Sequence, residues 1–256
     1  MHYEIISNEW WKDFFDEHYI ELYNDKLLTE RTQKEVNFLK SVFIQSSKFS
    51  KILDLACGQG RHTVELAAMG YDVTGLDYSN DLLALARFRA EVNKVSVHLV
   101  KSDMRSIPFK HAEFDGVISM FSSFGYFEKE EDNEKVIAEV ARVLKKQGVF
   151  VLDLRSLNFL QKHPSSKSTD INSLGIEIQS KTFFNIQTNY WDAVMIWKRG
   201  NMKGKKVYRM RIYSKKEITE LLMRNGLVVK QIIGSFTGTQ YTNKSNRMIV
   251  VATKNY

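Results

Sequence analysis

The sequence predicts an α/β fold: a seven-stranded, mostly parallel sheet with helices on both faces, an N-terminal helical lid and an antiparallel β insertion. Three observations carry this reading. From Lys51 onward, short apolar runs alternate with helical stretches, which is the pattern of parallel βαβ units with right-handed crossovers. A glycine turn, Gly58-Gln59-Gly60, follows the first run, and acidic residues fall at the ends of successive runs. Past Arg155 that alternation stops, and three further runs separated by turn residues read as an antiparallel meander.

The elements follow in order. Residues 8–46 read as helix: Trp10, Trp11, Phe14, Phe15, Tyr19, Leu22 and Tyr23 recur at helical spacing, with a polar break around Asn24–Thr29 before a second apolar set. Lys51–Ala56 is a buried strand, Arg61–Met69 a helix, Asp72–Leu76 a strand ending at Asp77, and Leu82–Val92 a helix. Val95–Val100, Phe114–Met120 and Val149–Leu154 are the next strands, with a helix through Ala138–Leu144 before the last. Residues 156–173 are polar and loop-like. Ile176–Phe184, Tyr190–Lys198 and Lys206–Tyr213 form the meander, and Ser214 with Glu217 makes a capping box for a helix to Arg224, closed by Gly226. Val228–Phe236 and Arg247–Thr253 are expected as a closing hairpin at one sheet edge. The division expected is a lid over 1–46, a core over 47–155 and 214–256, and a substrate cap over 156–213.

A chain of 256 residues, 43% hydrophobic and 26% charged, suits one globular domain with an inserted subdomain. No apolar run approaches the ~18 residues of a membrane span, and Met1-His2-Tyr3-Glu4 lacks a secretory layout. The single cysteine, Cys57, allows no internal disulfide and no cysteine-paired zinc site. A cytoplasmic monomer or homodimer without a metal is expected. Part of the net charge of +7 is concentrated between Lys198 and Arg211, seven positive residues in fourteen with no acidic one. Such a stripe can hold phosphates, or it can be a solvated hairpin whose lysines protect an edge strand. The hairpin reading is preferred.

Chemistry concentrates in Asp54-Leu55-Ala56-Cys57-Gly58-Gln59-Gly60. Gly58 and Gly60 lack the β-carbons that would keep a ligand off the backbone, and the helix from Arg61 adds a positive dipole end. Asp77 stands 19 residues after Gly58, the spacing of a carboxylate that binds both ribose hydroxyls. Asp103 is placed to accept from a base amino group, with Met104 against the ring face. A dinucleotide site competes, but Thr63 stands where its third glycine belongs. Asp54 beside a pyrophosphate would also be an electrostatic misfit, whereas a ligand ammonium would welcome it.

On these motifs, residues 51–154 resemble the Rossmann-like core of class I S-adenosylmethionine-dependent methyltransferases. Ser102-Asp103-Met104-Arg105 and Ser119–Tyr126 are similar to segments of small-molecule N-methyltransferases, including amino-sugar N,N-dimethyltransferases. Glu30-Arg31-Thr32 resembles the segment with which glycine N-methyltransferase holds its cofactor carboxylate, and Asp153-Leu154-Arg155 resembles the place of its substrate-carboxylate arginine. The resemblance implies S-adenosylmethionine as cofactor, S-adenosylhomocysteine as product, and a cofactor site of Tyr19, Arg31, Asp54, Ala56, Cys57, Gly58, Gly60, Asp77, Tyr78, Ser102, Asp103, Met104 and Met120. Two departures imply an acceptor other than glycine: Ser122 replaces an amide side chain, and Tyr126 stands where relatives often carry histidine.

Methyl transfer from a sulfonium is an in-line displacement, so the protein chiefly aligns a neutral nucleophile and excludes water. Tyr23, Ser122 and Tyr126 are the expected oxygen-bearing wall, with Arg155 as an anion clamp. His62 is expected as a helix-start residue and Cys57 as filler behind the turn. The activity expected is methylation of a small-molecule acceptor, an amine nitrogen favoured. The alternatives are an RNA-modifying methyltransferase using the basic stripe, or a non-catalytic cofactor-binding protein.

Overall fold

A computed structural model describes residues 6–27, 29–43 and 50–255. The first few residues, and positions 44–46 of the expected first helical stretch, lie outside the described residues. Among the described residues that stretch holds three α-helices, α1 (Trp11–Phe14), α2 (Glu17–Tyr23) and α3 (Thr29–Phe43), with a 3-10 turn over Asn24–Lys26. The unexpected break after Phe14 has a local cause, because Asp16 caps α2 by accepting the Tyr19 N–H at 3.0 Å.

The core follows as β1 (Lys51–Leu55), α4 (Arg61–Ala68), β2 (Asp72–Asp77), α5 (Asn80–Val92), β3 (His98–Lys101), β4 (Phe114–Ser119), α6 (Glu130–Val143) and β5 (Leu144–Arg155). Next come α7 (Leu157–Lys162) and an insertion of β6 (Ser165–Ile171), β7 (Glu177–Asn185), β8 (Tyr190–Arg199) and β9 (Met202–Arg211). The chain closes with α8 (Lys215–Arg224), β10 (Leu227–Ile233) and β11 (Arg247–Lys254).

The seven-stranded sheet has the order β10-β11-β5-β4-β1-β2-β3. All of its pairings are parallel except those of β11, which runs antiparallel to both β5 and β10. The expected closing hairpin is therefore present, with its second strand inserted and β10 at the edge. From β1 the chain proceeds to β2 and β3 on one side and to β4 and β5 on the other. The carboxyl ends of β1 and β4 thus flank the switch point, where open α/β sheets bind ligands.

Alternation along β1 decides which residues face which layer. Ile52 packs with Val36, Leu39 and Phe43 of α3 and Leu66 of α4, whereas Leu53 and Leu55 belong to the opposite cluster. The period of two puts Asp54 on the Ile52 side.

The insertion forms its own antiparallel sheet, β6-β7-β8-β9. Phe184, Trp191 and Met210 pack there against Leu157 and Leu160 of α7. Residues 156–173, expected as loop, thus contain a helix and a strand. Every residue of β6 is exposed, so the strand carries no apolar alternation to betray it. The capping box at Ser214 and Glu217 is formed. Among the described residues, no helix is long and apolar enough to cross a membrane.

Candidate active site

The turn after β1 is built for close approach. Ala56, Gly58 and Gly60 all have positive φ, at 59°, 56° and 73°. A β-carbon on Gly60 would lie 2.8 Å from the Ala86 β-carbon, so this glycine lets α5 pack against the turn. Gly58 faces open space instead, its nearest prospective contact being Leu82 at 3.8 Å. The Asp77 carboxylate braces the turn: Oδ2 accepts the Gly58 N–H at 2.8 Å and Oδ1 the Ser79 N–H at 2.9 Å. Burial pushes the Asp77 carboxyl up to about 6, against those two donors. Behind the turn, the Cys57 thiol fills the space left by Gly75, where a β-carbon would lie 2.9 Å from Sγ. Burial holds that thiol well above its ordinary range.

These residues wall a cavity of about 930 Å³, its open mouth included. Of the expected cofactor residues, Tyr19, Ala56, Cys57, Gly58, Asp77, Tyr78, Ser102, Asp103, Met104 and Met120 line it. Gly60, Asp54 and Arg31 do not. Gly60 is occupied by Ala86. Asp54, on the α4 side of β1, accepts from Thr63 Oγ1 at 2.7 Å, and burial raises its carboxyl. Arg31 is half-exposed, pairs through Nε with Glu35 at 2.8 Å and lies 4.6 Å from the Phe121 ring centroid. Asp103 lines the cavity, but Arg105 engages both of its oxygens, at 2.7–3.1 Å.

Sequence reasoning did not assign Trp11, Arg61 or His62 to this wall, yet all three line it. Trp11 and Phe15 come from the N-terminal helical segment, which is pinned in place. Lys206 Nζ, nearly shielded from solvent, donates to the Phe14 carbonyl and pairs with Asp16, each at 2.8 Å, and Ser79 Oγ donates to the Phe15 carbonyl.

A second, smaller chamber of about 360 Å³, its open mouth included, shares Phe15, Tyr19, Phe121 and Tyr126 with the first. It brings together all four residues expected to be catalytic: Tyr23, Ser122 and Tyr126 of the oxygen-bearing wall, and Arg155 as anion clamp. Tyr208 and Trp191 of the insertion complete it. Sequence reasoning passed over both, since Tyr208 lies within the basic stripe. The Arg155 guanidinium stacks on Trp191, 3.8 Å from the ring centroid, and is in polar contact with Tyr208. Burial pushes the phenols of Tyr19, Tyr23 and Tyr126 above their ordinary range, so all three stay neutral. Phe121 and Ser122 both have positive φ, 60° and 64°. Fully buried Asp153 holds this strained turn by accepting the Phe121 N–H at 2.9 Å, and Arg247 Nε supports the same carboxylate at 2.8 Å.

Four residues that line these chambers each carry a buried polar atom with no hydrogen-bond partner: Trp11 Nε1 and Arg61 Nη2 for the first, Ser122 Oγ and Arg155 Nε for the second. Buried groups of this kind are rare and costly, and these four belong to residues around the two chambers. A nucleoside-bearing sulfonium fits the first cavity. Asp77 keeps unused lone pairs for ribose hydroxyls, and Met104 and Leu82 offer apolar contact.

Residues 52–148 match the family described as methyltransferase domain. The chain is 26% identical over 210 residues to a putative methyltransferase, YqeM, of Bacillus subtilis, covering 80% of this chain and 84% of that one. It is 32% identical over 154 residues to a glycine/sarcosine N-methyltransferase of Parasynechococcus marenigrum, covering 58% of this chain and 54%, about half, of that one. The solved CcbJ methyltransferase of Streptomyces caelestis shares the fold, with a TM-score of 0.83 at 15% identity over 96% of this chain and 99% of that one.

Proposed function

We propose that this S-adenosylmethionine-dependent methyltransferase delivers its methyl group to an amine nitrogen of a small molecule held in the second chamber. The observation that carries the reading is the pair of neighbouring chambers with a shared wall, each lined by two residues that carry an unsatisfied buried polar atom. The bound cofactor supplies an activated methyl group on a sulfonium. The chain's own residues do the rest.

Asp77 would hold the ribose, and Met104 and Met120 would pack near the base and sulfur. Tyr19 and Tyr126 stand at the shared wall, so their neutral hydroxyls can meet charge developing on a transferring methyl. Ser122 Oγ and Arg155 orient the acceptor, Arg155 by taking an acidic group on it. No carboxylate or histidine lines the second chamber among the described residues. The acceptor amine must therefore arrive neutral, or lose its proton to water before attack. The similarity to a glycine/sarcosine N-methyltransferase supports nitrogen as acceptor, and Arg155 supports an acid-bearing one. The N-terminal helices and the insertion serve as lid and cap, excluding water.

The RNA reading loses ground on charge. Arg199, Lys206, Arg209 and Arg211 of the stripe each pair with a carboxylate of this chain, Glu21, Asp16, Asp192 and Glu217. Little of it is left for phosphates. The test is transfer from methyl-labelled donor to a panel of amino acids, amino sugars, simple amines and RNA. Label entering acid-bearing amines supports the reading; label entering RNA alone overturns it.

A further inference from the structure

Behind the first cavity lies a buried ionic cluster that the reading above does not use. Glu35, on α3 and 1% exposed, is surrounded by three donors. Arg31 Nε, Arg61 Nη1 and His62 Nε2 each stand 2.8 Å from its carboxylate oxygens. Burial alone would raise this carboxyl, but the His62 hydrogen bond and the His62 and Arg61 charges hold it well below the usual carboxylate range. Glu35 is therefore ionised and fully subscribed.

Arg61 begins α4, directly after the glycine turn, and its side chain is 5% exposed. Nη1 also donates to Thr32 Oγ1 at 2.7 Å. Nη2 is buried and has no partner. The residue lines the first cavity while Arg31 does not. Two guanidiniums thus share one carboxylate, and the solvent-shielded one, which belongs to a residue lining the cavity, keeps an N–H pair without a partner. A buried guanidinium with spare donors asks for an anion. The donor's ammonium and sulfonium would be repelled there. Its only anionic group is the α-carboxylate.

Resting on the reading of the first cavity as the cofactor site, we infer that Arg61 receives the carboxylate of the cofactor's amino-acid tail, with Glu35 and His62 as its positioning residues. Arg31, which the sequence resemblance would give that task, instead shares Glu35 from the half-exposed side. Glu35 fixes the guanidinium through Nη1, so that Nη2 is aimed without loss of side-chain freedom on binding.

The experiment compares S-adenosylmethionine with decarboxylated S-adenosylmethionine, which keeps the adenosine, sulfonium and amine. Both are titrated calorimetrically into the full chain and its Arg61→Met, Arg61→Lys and Arg31→Gln variants. Wild type should prefer the intact ligand by about 10-fold or more, the scale of a charge-assisted hydrogen bond. Arg61→Met should erase that preference by weakening the intact ligand alone. Arg61→Lys, which retains the buried cation, should keep part of it, and Arg31→Gln should keep it whole. A wild type without preference, a preference that survives Arg61→Met, or its loss in Arg31→Gln would overturn the assignment. Equal losses for both ligands would do so as well, since they mark a structural role only. Tight binding of both ligands without preference leaves the cofactor site standing and removes Arg61; binding of neither by folded protein removes both.

Discussion

The Asp77 carboxylate accepts the Gly58 N–H at 2.8 Å, so the end of β2 holds the turn that leaves β1. One side chain thereby shapes the turn and, on the proposed reading, would also present lone pairs to the cofactor. Asp77→Asn should weaken S-adenosylhomocysteine binding by roughly 10- to 100-fold, because an amide cannot accept from both backbone donors and both ribose hydroxyls. Unchanged affinity in a calorimetric titration of the folded variant would take Asp77 out of the site.

The same residue predicts a pH dependence. Its carboxyl is pushed up to about 6 from 3.8, and ribose hydroxyls donate best to the ionised form. Affinity should therefore be level above pH 7 and decline as pH falls through about 6. For the ligand-free fold the sign is opposite: the raised value means that this group's contribution to stability falls as pH rises from about 4 to about 6. A pH series of titrations, with thermal melts alongside, reads both.

The two glycines of the turn should separate experimentally. Gly60→Ala forces a β-carbon to 2.8 Å from Ala86 at a φ of +73°. It should cost roughly 2 kcal/mol or more of stability. Gly58→Ala meets only Leu82 at 3.8 Å, so it should cost roughly 1 kcal/mol from its positive φ while reducing cofactor affinity. Denaturant midpoints and titrations on both variants check the contrast.

Within the basic stripe, Lys206 and Lys203 should behave differently. Lys206→Met removes the buried ammonium that holds Asp16 and the Phe14 carbonyl, and should cost roughly 1–3 kcal/mol while raising the apparent Km for the donor as the N-terminal segment loosens from the insertion. Exposed Lys203→Glu should leave melting temperature and turnover within error. Equal effects at the two positions would refute the latch.

In the second chamber, Arg155→Lys should raise the acceptor Km by roughly 10-fold or more, since an ammonium offers one point charge where a guanidinium offers a fork. Cofactor affinity should not change. Steady-state kinetics with the acceptor found in the label screen, beside calorimetry with the cofactor, separates the two quantities.

Much of this was legible in the residues. Alternation set the parallel strands and the switch point, and the glycine turn with Asp77 located the cavity. Asp54 was expected in the cofactor site, but it shares the parity of Ile52, so it faces α4 and accepts from Thr63 instead of lining the cavity. The strand β6 was not legible, because Ser165–Ile171 buries nothing and so carries no pattern. Arg61 was hidden differently. It adjoins the turn in sequence, but its free Nη2 exists only because Glu35, 26 positions earlier, is shared among three donors. The same holds for Tyr208, which reaches Arg155 only through the fold of the insertion.

The central claim is that the cavity at the carboxyl edge of β1 and β2 binds S-adenosylmethionine. The most direct test is isothermal titration of the full chain with S-adenosylmethionine, S-adenosylhomocysteine and NAD. The account predicts saturable binding of the first two and none of the third. Binding of NAD alone, or no binding by a folded sample, would contradict it.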